Sequence, residues 1–80
     1  MNKNDISKRV LSIIEEVFCL GIDVNPNDSL KKDLCFDWID IFDAVTSMED
    51  EFAITFSDDV VDKLETVQDI IDYVYDKLNQ

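Results

Sequence analysis

Histidine is absent from this sequence, glycine and proline occur once each, and there are only two cysteines. Without histidine, the commonest general base and the commonest zinc ligand are both missing. So few turn residues exclude a β-sandwich. Cys19 and Cys35 cannot build a disulfide scaffold and read as small core residues of a reduced, cytoplasmic protein, with a single bridge between them left open. No apolar run approaches the roughly 18–20 residues of a membrane span. The polar start, MNKNDISKRV, leads straight into amphipathic sequence, which is not the pattern of a secretory signal. Basic residues are scarce too: seven against nineteen acidic ones give a formal charge of −12. Such a surface repels phosphate backbones and anionic headgroups, which argues against nucleic acid and membranes as partners and for basic protein surfaces.

What is present is helical. The chain has 80 residues, 46% of them hydrophobic, enough for one small domain spanning 1–80 with a single modest core. Ile6, Val10, Ile13, Ile14, Val17 and Phe18 recur at three- and four-residue steps and define one face of a first helix, with Asn4 as its candidate N-cap. Gly21 ends that helix. Residues from about 21 to 36 read as a long loop with a turn near Asp28–Lys32, anchored by Leu30 and Leu34. A second helix is expected from Trp38 to Phe52, capped by Asp37, with Asp40 in its first turn and a core stripe of Ile41, Ala44, Val45, Met48 and Phe52. Ser57 caps a short third helix near Asp58–Leu64. Thr66 and Asp69 open the last helix, Val67–Leu78, whose buried face is Val67, Ile70, Ile71, Val74 and Leu78. The expected architecture is an all-α, four-helix bundle with a long first loop and a short third helix.

Motifs for chemistry are thin. The stretch Asp23-Val-Asn25-Pro-Asn27-Asp28 starts like a calcium loop, but Asp28 stands where Gly is required and Leu34 where the bidentate Glu belongs, so it reads as a polar turn. Two cysteines without histidine do not complete a zinc site, and their acidic surroundings do not favour a thiolate. There is no phosphate-cradling glycine loop and no nucleophile elbow, so the chain does not read as an enzyme.

The informative segment is Asp33-Leu34-Cys35-Phe36-Asp37-Trp38-Ile39-Asp40. After it come Met48-Glu49-Asp50-Glu51-Phe52, then Phe56-Ser57-Asp58, then Thr66-Val67-Gln68-Asp69-Ile70-Ile71-Asp72-Tyr73-Val74. In these blocks the chain resembles the acyl carrier proteins from end to end. The family shows an Asp-Leu-Gly-x-Asp-Ser-Leu-Asp signature, a Glu-Glu-Glu-Phe-like helix end, an Ile-Pro-Asp-like turn and a Thr-Val-x-x-hydrophobic-hydrophobic-x-Tyr ending. The resemblance implies the four-helix fold. It also implies an acidic second helix that docks basic patches on enzymes.

The departure falls where the resemblance places the chemistry. The family's serine, which carries 4′-phosphopantetheine, aligns with Trp38, and an indole has no hydroxyl to esterify. The preceding Gly and small residue are Cys35 and Phe36, so the whole turn has changed character. Ser29, in the loop, Ser47, late in the second helix, and Ser57, at the start of the third, lack the flanking pattern of an attachment site. Trp38 either folds back on Phe36 or Phe42, or forms with Ile39 and Phe42 an apolar anchor. Carried over by position, Asp37, Asp40, Asp43, Glu49 and Asp50 steer a partner electrostatically; otherwise they form a solvated helix face. The leading reading is a carrier-like binding module without a prosthetic group. It would be a monomer when alone, an accessory subunit for a partner with a basic surface, such as an acyl-chain-handling enzyme of fatty-acid or polyketide-type metabolism. A working phosphopantetheine carrier and an acidic inhibitor or mimic stand as alternatives. The resemblance also implies an apolar cavity beside Met48, Phe52 and Val61, which Trp38, Phe42 and Phe56 are placed to fill.

Overall fold

The computed structural model describes residues 2–18 and 23–80. Four helices follow in order: α1 (Lys3–Phe18), α2 (Trp38–Phe52), α3 (Asp58–Lys63) and α4 (Val67–Leu78). This is the all-α bundle expected from the sequence; among the described residues the one β feature is an isolated bridge between Ser29 and Thr66. α1 packs on α2 and α4, and α2 also packs on α3 and α4. No described helix is long and apolar enough to cross a membrane.

Local signals fix the helix starts. Asp37 accepts the Asp40 N–H at 2.9 Å while the Asp40 carboxylate accepts the Asp37 N–H at 3.2 Å, a reciprocal pair that holds the first turn of α2. Thr66 and Asp69 do the same for α4, and Ser57 caps α3 by accepting the Val60 N–H. α1 starts earlier than expected. Its cap is Asn2, not Asn4, with the Asn2 side-chain oxygen accepting the Asp5 N–H at 2.8 Å.

The connection before α2 is irregular but tied down. Leu30 is fully buried and Leu34 nearly so, as their anchoring role requires. The loop's backbone is stitched to the start of α4: Leu30 N–H donates to the Glu65 carbonyl at 2.9 Å, Val67 N–H to Asp28 at 3.1 Å and Gln68 N–H to Pro26 at 2.7 Å. Ser29 accepts the Lys32 N–H and closes the expected turn. Gly21 and Cys19 lie outside the described residues, so the helix stop and the cysteine pairing expected there do too.

The core matches the apolar stripes with three exceptions. Ile6, Val10, Ile14, Met48, Ile70, Ile71, Val67 and Val74 are buried at its centre. Val17 and Leu78, expected on buried faces, are exposed, each lying in the last turn of its helix. Cys35, expected in the core, is exposed, because its backbone sits in the left-handed region (φ 58°) and redirects the chain between buried Leu34 and Phe36. Phe36 then stacks on Phe18, ring centroids 4.4 Å apart.

Left-handed φ at a residue with a Cβ is strained by roughly 1–2 kcal/mol relative to glycine. Cys35 and the α2 C-cap Ala53 (φ 55°) both carry that strain. Cys35→Gly and Ala53→Gly are therefore expected to stabilise the fold by about 1 kcal/mol each, raising Tm by about 4–8 °C at this size. Thermal unfolding of the two variants checks this, and an unchanged or lower Tm in both contradicts it.

Ion pairs tie α1 to both of its neighbours. Arg9 pairs with Glu51 at the end of α2, and Lys3 bonds Asp72 of α4 at 2.8 Å. The Lys3 bond, with a second from the Gln68 amide, holds the Asp72 carboxyl below its usual range. The same contact raises the Lys3 ammonium. The pair contributes where both ends are charged. It fades as pH falls through the lowered Asp72 value or rises through the raised Lys3 value, and half-exposed ends keep the contribution small.

Candidate docking surface

α2 begins at Trp38, the first residue after the Asp37 cap, where backbone N–H groups point outward without helical partners. The indole does not fold back. Trp38 is 74% exposed, and Phe36, one candidate neighbour, is instead buried against Phe18. Ile39 and Phe42 are 52% and 55% exposed, so three large apolar side chains stand out at one end of the helix.

Helical geometry divides the expected docking residues between two faces. Ile39, Asp43 and Asp50 follow one line along α2 at steps of four and seven. Trp38 and Phe42, one turn apart, face α3 instead and wall a groove of about 340 Å³. Buried Ile41 and Leu64, with half-buried Val61, supply its apolar surface. Asp58 and Asp62, one turn apart on α3, and Lys31 from the loop supply its charges. Asp37 and Asp40 are engaged with each other's backbone in the cap. Glu49 is half-buried, its carboxylate accepting the Phe56 N–H at 2.8 Å to close the connection into α3. Asp50 lies near the far end of α2, in a second depression with Arg9 and Glu51.

The cavity expected beside Met48, Phe52 and Val61 is therefore displaced. Met48 is fully buried and Phe52 nearly so, and the groove reaches Val61 but neither of those two. Phe56 does not fill it; its ring packs on Tyr73 at 4.4 Å. Trp38 and Phe42 line the groove rather than plug it. Asp58, Asp62, Lys31 and Leu64 were not legible as site residues. The i, i+4 acid pair on a short capped helix was the one available hint.

Hydroxyls elsewhere already have partners or poor placement. Ser29 and Ser57 each accept a backbone N–H as turn or helix caps, and Ser47 is half-buried near the α1–α2 side.

Comparison with known proteins agrees with the fold. The family described as "Phosphopantetheine attachment site" matches residues 8–74. An acyl carrier protein of Buchnera aphidicola is 35% identical over 75 residues, covering 92% of this chain and 95% of that protein. One from Thermosynechococcus vestitus is 30% identical over 79 residues, covering 98% of each chain. The crystal structure of an acyl carrier protein from Thermotoga maritima superposes with a TM-score of 0.79 at 34% identity, covering 99% of this chain and 93% of that one.

Proposed function

The chain belongs to the acyl carrier protein family, and from that premise we propose that it is a carrier-type docking module without the phosphopantetheine arm. It acts as a non-enzymatic accessory subunit for a basic partner that handles acyl chains. The observation that carries this reading is Trp38, exposed at the first residue of α2, the position at which the sequence resemblance aligns the family's attachment serine. A phosphodiester needs a hydroxyl oxygen there, and indole has none. The residues present do not fit the group.

What remains of the family site suits binding. Ile39, Asp43 and Asp50 present a mixed apolar and acidic line on the outside of α2. A chain of net charge −12 is drawn to a basic surface quickly and from a distance, while an exposed tryptophan supplies contact area at low entropic cost. The alternative of a working carrier rests on the family match itself, which spans most of the chain.

Incubation with a broad phosphopantetheinyl transferase and coenzyme A separates the two. The native chain is expected to keep its intact mass, and a gain equal to one phosphopantetheine overturns the proposal. In affinity capture from the native cell, synthases or acyltransferases are the partners expected. Reversing charge at Asp43 and Asp50, which leaves the Asp37–Asp40 cap intact, should weaken their capture at low salt; unrelated partners, or capture indifferent to the reversal, count against the reading.

A further inference from the structure

Trp38 is the least covered large apolar side chain among the described residues, 74% exposed against 55% for Phe42 and 52% for Ile39. Among those residues no ring stacks on the indole, and its N–H has no hydrogen-bond partner. The side chain therefore does little for the fold. Three large apolar side chains exposed together at one helix end form the kind of patch that marks an interaction site.

The place of the indole says what meets it. An arm rooted at the first residue of α2 reaches a reaction centre inside an enzyme only if docking sets that residue against the mouth of an opening. A chain that docks in the same way without the arm presents its indole to that mouth instead. The charges around it suit such a setting. From Asp33 to Asp62 the sequence holds no Lys or Arg, so every charged residue on α2 and on the turn before it is acidic. A second copy of the chain, with another −12 charge, is repelled, and an anionic amphiphile meets the same field. An apolar mouth with a basic rim matches both features. Carboxylates such as Asp43 and Asp50 pair at the periphery, while the indole enters at the centre. Tryptophan has only two side-chain torsions to immobilise, so its entry costs little entropy, and its N–H is left to bond an acceptor inside.

We propose that Trp38 plugs the opening through which the partner enzyme admits a carrier's arm, so that the docked chain blocks turnover instead of supplying substrate. This rests on the docking role proposed above and states what docking does.

Kinetics of an acyltransferase or synthase captured as described above, measured with two acyl donors, separate plugging from docking alone. One donor is its acyl-loaded carrier. The other is a free acyl-pantetheine thioester, which enters the opening without a docking protein. The native chain is expected to compete with the loaded carrier, raising the apparent KM about tenfold with kcat unchanged. Turnover of the free thioester should fall as well, because the opening itself is filled. Trp38→Ala, which keeps Asp43 and Asp50, should weaken inhibition by about thirtyfold, with circular dichroism confirming that the variant is folded. Displacement of the loaded carrier with free-thioester turnover unchanged overturns the plug and leaves the docking role standing. Inhibition indifferent to Trp38→Ala does the same. Faster turnover of either donor overturns it in favour of an activating subunit. The docking role fails by other signs, capture of unrelated proteins alone or a gain of mass with transferase and coenzyme A, and the plug then falls with it.

Discussion

Trp38→Ser is expected to turn a chain that gains no mass from transferase and coenzyme A into one that gains a single phosphopantetheine. The substitution places an oxygen nucleophile at the first residue of α2 and leaves the supporting geometry alone. Asp37 and Asp40 already hold the first turn through their reciprocal bonds. Cys35, although it bears a Cβ, adopts a φ of 58°, the left-handed conformation a glycine takes readily at that place. Unpaired N–H groups and the positive end of the helix then face the ester phosphate. Trp38 is 74% exposed, so its removal should leave stability within about 0.5 kcal/mol of native. Intact-mass spectrometry alongside a reference carrier reads the result. If the variant folds but stays unmodified, the indole is not the sole obstacle, and Cys35 and Phe36 have also closed the site to the transferase.

Which parts of this structure could be read from sequence follows the range of the forces involved. α2 and α4 were legible to the residue because each opens with a reciprocal cap between side chains three apart, Asp37 with Asp40 and Thr66 with Asp69. α1 offered two asparagines within one turn, and nothing local distinguishes Asn2 from Asn4 as its cap. Periodicity gives the direction in which Val17 and Leu78 point but not whether a neighbouring element extends far enough to cover them. The outward turn of Cys35 depends on a left-handed residue that only the burial of Leu34 and Phe36 on either side enforces. The site divides in the same way. Residues of α2 could be placed on its surface from spacing alone, whereas Asp58, Asp62 and Lys31 join Trp38 only through the packing of α3 and the loop. Glu49 looked free for steering because its bond to Phe56 spans the end of the helix.

Leu30→Ala is expected to cost about 2–5 kcal/mol, while Leu78→Ala costs less than about 1 kcal/mol, the reverse of what their settings suggest. Leu30 is in an irregular loop and Leu78 in a helix, yet Leu30 is fully buried and Leu78 is 38% exposed. Truncating Leu30 leaves a cavity under a segment whose backbone cannot easily collapse. Its N–H is bonded to Glu65 and its carbonyl accepts the Phe36 N–H at 2.8 Å, so both neighbours resist relaxation. Against a total stability of about 4–12 kcal/mol for a domain of this size, the loss brings the fold close to its limit. Because the same bonds lead into Asp37, the start of α2 should loosen with it. Urea unfolding followed by far-ultraviolet circular dichroism, which reports the helices directly, reads the loss: the midpoint falls, with the slope unchanged if unfolding stays two-state. Equal midpoints for the two variants would mean that the loop is not fastened to the core by Leu30, and that the groove's Lys31 edge is not held in place from below.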